Sequence, residues 1–305
     1  MAGVLGGFVP IWVLTAIGFV AARTGVLGDR AESVLGRFAF YLAMPAVLFT
    51  TLLDSDPGAL ANRGVLAFVI ATFVVGAIGL LLHAKVFRRE LPDRALAAVA
   101  GAYVNSGNLG IPVAVGVLGD SSFLAAVLLF QPVVLMPAVL AAVEVGSGRR
   151  GGTARTLLTL PVRNPIILAS LLGVALSAVG RRPPQLVMDP IEALGSAGVP
   201  TALVVLGMSL NAMRAPDREA RAGVCAVVGL KLLLHPVVTF LACLALGVTG
   251  PLRLAAVLCA ALPTAQNVYV LAAQYRPDAR LPRDVVLVST ALSMVTLSVV
   301  AVLLQ

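Results

Sequence analysis

The sequence Tyr103-Val-Asn-Ser-Gly-Asn-Leu-Gly-Ile-Pro112 interrupts a long apolar segment close to its middle. Its two glycines weaken a helix, and Pro112 cannot donate a backbone hydrogen bond and clashes with the preceding turn. Asn105, Ser106 and Asn108 add three polar side chains to the same short stretch. Polar groups and irregular backbone are costly inside a membrane unless they line a cavity or are buried in protein. The sequence therefore predicts a broken membrane helix with a functional role.

The composition of the chain identifies the surrounding segments as membrane spans. Of the 305 residues, 59% are hydrophobic and 12% are charged, and the mean hydropathy is +1.01. A spanning helix needs about 20 apolar residues, and a barrel would show short alternating segments instead. We therefore predict an all-α polytopic membrane protein with ten transmembrane helices, at approximately 4–22, 32–53, 64–87, 95–118, 122–144, 164–180, 190–213, 222–248, 252–275 and 284–304.

Lysine and arginine are unevenly distributed between the two sides of these spans. The connections after spans 1, 3, 5, 7 and 9 hold 17 of the 22 cations, and the opposite side holds four. This bias predicts that the first side is cytoplasmic, so that both termini are extracytoplasmic in a multi-pass protein of the cell (inner or plasma) membrane. The net charge of +8 then reflects topology. We expect no nucleic acid partner, because the basic residues are scattered between apolar runs.

The two halves of the chain show internal similarity. At an offset of 155 residues, Gly18 in span 1 matches Gly173 in span 6, and at an offset of 159 residues Asn108 in span 4 matches Asn267 in span 9. Each half has five spans, and five is an odd number, so the second half enters the membrane from the opposite side. This is the inverted repeat of many secondary transporters.

The repeat divides the chain into three parts. We predict a first five-helix repeat at 1–145, a cytoplasmic linker at 146–163 and a second five-helix repeat at 164–305. The linker contains four glycines and three arginines between positions 146 and 155, a composition typical of a flexible connection.

Span 9 contains a second interruption, Pro263-Thr264-Ala-Gln266-Asn267, followed by Tyr269. We expect the half-helix ends of the broken spans 4 and 9 to lie face to face near the membrane midplane, where helix N-termini attract anions and freed carbonyls attract cations or hydrogen-bond donors. The alternative is that the asparagine and glutamine side chains only join neighbouring helices. That alternative requires neither the prolines nor the matching positions in the two halves.

Span 8 contains the ionisable pair Lys231 and His235, four residues apart on one helix face. Lys231 lies roughly 14 Å into the span at about 1.5 Å per residue, and an ionisable residue at this depth is a functional hypothesis by default. The acidic residues of the predicted spans occur at span ends. Lys231 is therefore expected to bond either the freed carbonyls of a broken helix or an anionic substrate. In the first case its role could be purely structural, as a tether that holds the broken helix.

Gln131 in span 5 is a further candidate for the same cavity, because it lies at mid-span and aligns with Thr290 in span 10. We expect no catalytic residue, metal or cofactor. The three cysteines lie in apolar runs without a CxxC pair, and HExxH and GxSxG patterns are absent from the sequence. The predicted substrate-binding residues are Asn105, Ser106, Asn108, Pro112, Gln131, Lys231, His235, Pro263, Thr264, Gln266, Asn267 and Tyr269.

Three motifs together resemble the auxin efflux carrier family of membrane transporters, in its short bacterial form. They are Asn105-Ser-Gly-Asn-Leu-Gly-Ile-Pro112, Lys231-Leu-Leu-Leu-His-Pro236 and Pro263-Thr-Ala-Gln-Asn267, and the resemblance covers essentially the whole chain. It implies a scaffold of spans 1, 2, 6 and 7, a moving transport domain of spans 3–5 and 8–10, and a homodimer formed through the scaffold. It also implies that spans 4 and 9 cross at their broken points beside the substrate. Because this chain has no acidic residue near the crossing, the sodium coupling of related bile acid carriers does not carry over.

The residues and the resemblance lead to one functional prediction. We expect a secondary active transporter of a small organic anion, malonate-like or auxin-like, that works in the lipid bilayer by alternating access of the elevator type. The alternative is a channel or a membrane ligand sensor of the same fold. An enzyme is not expected.

Overall fold

A computed structural model describes residues 2–54, 62–119, 122–136, 138–139, 142–143, 165–211, 220–275 and 280–304. The predicted linker at 146–163 falls outside the described residues. Within these ranges the chain is helical apart from turns, short connections and one isolated β-bridge.

The helices are labelled in chain order. They are α1 (Ala2–Thr24), α2 (Ala31–Leu53), α3 (Arg63–Lys85), α4 (Leu91–Ala102), α5 (Ser106–Leu118), α6 (Ser122–Leu135), α7 (Pro165–Ala178), α8 (Gln185–Asn211), α9 (Arg221–Ala245), α10 (Gly250–Ala261), α11 (Gln266–Tyr275) and α12 (Arg280–Leu303).

The lengths of these helices bear on the span count. Among the described residues, five helices are long and apolar enough to cross a membrane, namely α2, α3, α8, α9 and α12. Five predicted segments contain shorter apolar helices instead, including the two interrupted spans. Each of the ten predicted segments overlaps a helix, and the polytopic all-α class is therefore supported, while the count of ten spans and the inverted repeat remain predictions.

Proline residues widen several of these helices locally. In α9, residues Leu230–Leu234 form a π-helical turn that ends two residues before Pro236. A proline lacks the backbone N–H and crowds the carbonyl one turn earlier, and a π-helical turn accommodates both effects. The same feature occurs at Gln131–Leu135 in α6, which contains Pro132. In α9 the widened turn carries Lys231.

The first of two compact units contains α1, α2, α5, the first part of α6 to Leu129, α7 and α8. Glycines allow its helices to approach closely. A Cβ at Gly18 would lie 2.0 Å from the carbonyl oxygen of Val204, and one at Gly173 would lie 2.8 Å from that of Phe49. Both pairs are related by the offset of 155 residues found in the sequence, so equivalent helices of the two halves pack in the same way here.

The membership of this unit differs from the scaffold that the family resemblance implies. The resemblance groups span 4 entirely with the transport domain, whereas α5 and the start of α6 belong to the unit of spans 1, 2, 6 and 7. The reason is that span 4 is broken after Asn105, and α5 then packs against α1 and α8.

The second compact unit contains α3, α4, the part of α6 from Phe130, and α9 to α12. Small residues dominate the buried face of α4, where every residue from Ala97 to Ala102 is buried. Gly79 of α3 and Gly101 of α4 bring their helices close to neighbours in the same unit. This unit holds both ends of the broken span 9 and the end of the first half of span 4.

Candidate functional site

Two short extended segments cross in the second unit, where α4 ends and where α10 gives way to α11. Val104 and Thr264 form an antiparallel β-bridge. The N–H of Asn105 donates to the carbonyl of Pro263 at 2.8 Å, and the N–H of Ala265 donates to the carbonyl of Tyr103 at 3.3 Å. The interruptions read in the sequence are thus unwound, and their freed backbone groups are paired with each other, as an apolar environment requires.

The carbonyl groups at the ends of α4 and α10 are bonded by side chains. The hydroxyl of Thr264 donates to the carbonyl of Ala100 at 2.6 Å. The Nζ atom of Lys231 donates to the carbonyl of Ala260 at 2.7 Å. The last carbonyls of a helix lack intrahelical partners and carry partial negative charge. Each half-helix therefore ends on a donor that stabilises it.

Two further side chains bond the extended backbone directly. The amide of Gln131 accepts from the N–H of Val104 at 2.7 Å and donates to the carbonyl of Val104 at 3.1 Å. The hydroxyl of Ser289 on α12 accepts from the N–H of Thr264 at 3.1 Å. Gln131 is 1% exposed. Its side-chain amide is thus bonded on both sides to the crossing backbone.

Lys231 belongs to a buried polar chain that links three helices of the unit. Its Nζ atom lies 2.9 Å from Nδ1 of His235, and Nε2 of His235 lies 3.2 Å from the hydroxyl of Thr72 on α3. Lys231 and His235 are both fully buried. Among the described residues, none of the ion pairs involves Lys231. The bond to Ala260 confirms the carbonyl of a broken helix as a partner of Lys231.

The start of α11 presents polar groups beside the crossing. Gln266 and Asn267 are exposed, and the Asn267 side chain is hydrogen-bonded to the buried Tyr103. The first turn of a helix has backbone N–H groups without intrahelical partners, and these groups favour an anion. Tyr269, one turn further on, is half-buried. The arrangement suits a small anion with hydrogen-bonding oxygens.

The other predicted residues follow the crossing in the chain. Ser106, Asn108 and Pro112 lie in α5, which belongs to the first unit. Ser106 and Pro112 are buried, and Asn108 is half-buried. The second unit holds the remaining candidates, namely Asn105, Gln131, Lys231, His235, Pro263, Thr264, Gln266, Asn267 and Tyr269.

Sequence reasoning missed three residues of this network: Thr72, Tyr103 and Ser289. A signal existed for Thr72, because it is a lone hydroxyl inside a strongly apolar span. Tyr103 opens the interrupted stretch itself. For Ser289 the signal was displaced by one residue, because the repeat aligns Gln131 with the neighbouring Thr290. Within the described ranges, no group of three or more His, Cys, Asp or Glu residues could hold a metal ion.

Comparison with known proteins finds similarity along the whole chain. The model of a family described as "Membrane transport protein" matches residues 4–145 and 153–301. A protein of Rhizobium meliloti named "Putative malonate transporter" is 31% identical over 306 residues, which cover 98% of this chain and 95% of that protein. A protein of Methanothermobacter thermautotrophicus named "Uncharacterized transporter" is 30% identical over 296 residues, 96% of each chain.

Proposed function

This chain belongs to the membrane transport protein family, which confirms its resemblance to the auxin efflux carriers, and we propose that it is a secondary carrier of a small organic anion. Family and relatives are membrane transporters and not enzymes. The relative named for malonate points to a carboxylate as the substrate class. The observation that carries the proposal is the crossing, where α11 begins with exposed amide side chains and the preceding half-helix ends on a bond from the buried Lys231.

The proposed mechanism is alternating access of the elevator type, with the anion bound at the crossing. Gln266, Asn267 and the first-turn N–H groups of α11 would bind the carboxylate oxygens, because amide donors and a helix N-terminus favour negative charge. Asn105 would contribute from the other extended segment. Lys231 would supply positive charge through the end of α10. What supports this division is that Gln266 and Asn267 are exposed while Lys231 is not.

The remaining predicted residues receive two kinds of role in this proposal. Thr264, Gln131 and His235 would hold the crossing in shape, because Thr264 and Gln131 bond its backbone and His235 bonds Lys231. Ser106 and Asn108 lie in the first unit, so their predicted role in binding rests on the sequence alone. The protein would lie in the cell membrane with both termini outside the cytoplasm, and it would form homodimers through the scaffold spans.

The proposal is tested by uptake of radiolabelled malonate into proteoliposomes that contain the purified protein. We expect saturable uptake above that of protein-free liposomes. Asn267→Ala should reduce uptake at low substrate concentration by about 10- to 100-fold, the value of one hydrogen bond to a charged group. Asn211→Ala is the matched control, since Asn211 is an exposed asparagine at the end of α8.

Each outcome separates the functional alternatives. Uptake that Asn267→Ala leaves unchanged contradicts the site. Single-channel currents in planar bilayers would indicate a channel instead of a carrier. Malonate binding without flux in any liposome would indicate a ligand sensor.

A further inference from the structure

The hydroxyl of Thr72 fixes the protonation of His235. A threonine hydroxyl has one proton to donate. The hydroxyl of Thr72 lies 2.8 Å from the carbonyl of Phe68, which can only accept, so the proton is used there. The same hydroxyl lies 3.2 Å from Nε2 of His235. Since the hydroxyl must accept in this second bond, Nε2 carries a hydrogen, and Nδ1 of the neutral ring is an acceptor.

The side chain of Lys231 donates to that acceptor and to one other. Its Nζ atom bonds Nδ1 of His235 at 2.9 Å and the carbonyl of Ala260 at 2.7 Å. A neutral amine has two N–H groups and an ammonium has three. Both forms can therefore make both bonds. The network can gain or lose one proton without losing any of its hydrogen bonds.

The surroundings of the pair provide no fixed countercharge among the described residues. Titratable groups on the helices packed against Leu230–Leu234 lie near helix ends, apart from the buried thiol of Cys259 on α10. Those at the ends are Arg63, His83, Lys85, Asp93, Arg94, Arg253, Arg280, Arg283 and Asp284. Asp284 is paired with Arg283 at 2.8 Å. On α9 itself, Arg221, Cys225 and Cys243 are the other such groups.

A fully buried ammonium without a carboxylate partner is costly. An anion bound nearby would reduce that cost, and Lys231 bonds the last turn of α10, directly before the crossing. Phe68 packs on the His235 ring at a centroid distance of 5.4 Å, which adds an apolar group beside the pair. Occupancy of the crossing by an anion and protonation of the pair should therefore favour each other.

We propose that Lys231 and His235 together bind one exchangeable proton, which the carrier takes up with each anion. This inference rests on the proposed function and adds its coupling ion. The empty crossing has the neutral amine, and the anion-bound crossing has the ammonium, with the added proton on Nζ shared toward Nδ1 of His235. The proton leaves when the anion leaves, so one proton crosses the membrane with one anion.

The first experiment follows the proton directly and requires no transport. The histidines of the chain are His83 and His235, and its lysines are Lys85 and Lys231. Labelling each residue type with ¹⁵N in the purified protein therefore gives few side-chain signals, which His83→Gln and Lys85→Met assign. We expect His235 as the Nε2–H tautomer, and we expect the Lys231 and His235 signals to change together in a single one-proton step as pH is varied.

Two results of this titration would overturn the proposal. One is an Nδ1–H tautomer of His235 at neutral pH in the absence of anion. The other is a Lys231 signal that stays in the ammonium form over the whole pH range in which the protein remains folded.

The second experiment measures coupling in proteoliposomes that contain a trapped pH-sensitive dye. An inward malonate gradient should acidify the lumen with the wild-type protein and with Lys85→Met, the matched control. Lys231→Met should acidify no faster than protein-free liposomes. Lys231→Arg keeps a donor and a permanent charge, because arginine does not lose its proton in proteins. It should show no malonate-driven acidification, whatever its rate of malonate exchange.

The outcomes distinguish this inference from the proposed function. Wild-type malonate accumulation without proton movement overturns the proton site and leaves the carrier function intact, as does malonate-driven acidification by Lys231→Arg. A chain that moves no malonate in any variant contradicts the carrier function, and the ¹⁵N titration then decides the proton site on its own.

Discussion

The two breaks share a backbone pattern but differ in the side chains that hold them. Ala100 in α4 and Ala260 in α10 occupy equivalent positions, 160 residues apart, and both carbonyls accept a side-chain hydrogen bond. At Ala100 the donor is the neutral hydroxyl of Thr264. At Ala260 it is the amine of Lys231. Of these two donors, the amine of Lys231 is the one that can take up a proton and become positively charged.

The two extended segments also differ in how many side-chain bonds their backbone receives. Gln131 makes two bonds to Val104, whereas Ser289 makes one bond to Thr264. The break in span 4 is held by neutral groups that have no proton to exchange. The break in span 9 is held more weakly at the backbone and is connected to the titratable pair. From this difference we expect the half of the crossing at span 4 to be the more rigid one and the half at span 9 to respond to charge.

The largest effect on stability is expected from removing the support of span 4. Gln131→Leu leaves both the N–H and the carbonyl of Val104 without their partner in a buried position. The free energy of unfolding should fall by about 1–3 kcal/mol, given the modest value of single hydrogen bonds in membrane interiors. Denaturation in mixed micelles, followed by circular dichroism, measures it. Gln185→Leu is the control, because Gln185 is exposed, and equal losses in both variants would contradict the account.

A smaller effect is expected at the end of α4. Thr264→Val preserves shape but removes the donor to the carbonyl of Ala100, a bond of 2.6 Å. We expect a loss of about 1–2 kcal/mol in the same unfolding measurement. Thr239→Val serves as the matched control, since Thr239 is equally buried but donates within its own helix. If Thr239→Val lowers the free energy of unfolding more than Thr264→Val does, the bond from Thr264 to the carbonyl of Ala100 does not stabilise the crossing as proposed.

The smallest effect is expected at the support of span 9. Ser289→Ala removes a single acceptor from the N–H of Thr264, and the bond is longer, at 3.1 Å. A loss of about 0.5–1 kcal/mol should appear in the same assay. Ser293→Ala, a buried serine that donates within α12, is the comparison. A loss greater than that of Gln131→Leu would reverse the assignment of the rigid half.

The sequence predicts the positions of both breaks because proline, glycine and clustered amides are unfavourable inside an apolar helix. The position of Lys231 within span 8 also predicts that it is buried, and a charged residue is rare at that depth, so the sequence singles it out. It does not predict the bonds themselves. In the sequence the halves match at an offset of 159 residues, whereas the two residues of the β-bridge, Val104 and Thr264, are 160 residues apart. Thr72 and Ser289 act through contacts between distant helices, and these depend on packing that local patterns do not contain.

The grouping of α5 with the first unit could not be predicted either. Residues before and after Asn105 belong to one continuous apolar segment in the sequence. Only the packing of α5 against α1 and α8 separates the two halves of span 4.

Protection of the crossing by substrate tests the account most directly. Gln266 is exposed at the start of α11, so that Gln266→Cys, in a Cys225→Ser background that removes the exposed native thiol, should react with a maleimide. Gln185→Cys in the same background is the control in the first unit. The account predicts that malonate slows the alkylation of Gln266→Cys, in proportion to its occupancy, and leaves that of Gln185→Cys unchanged. Equal alkylation of Gln266→Cys with and without saturating malonate would contradict it.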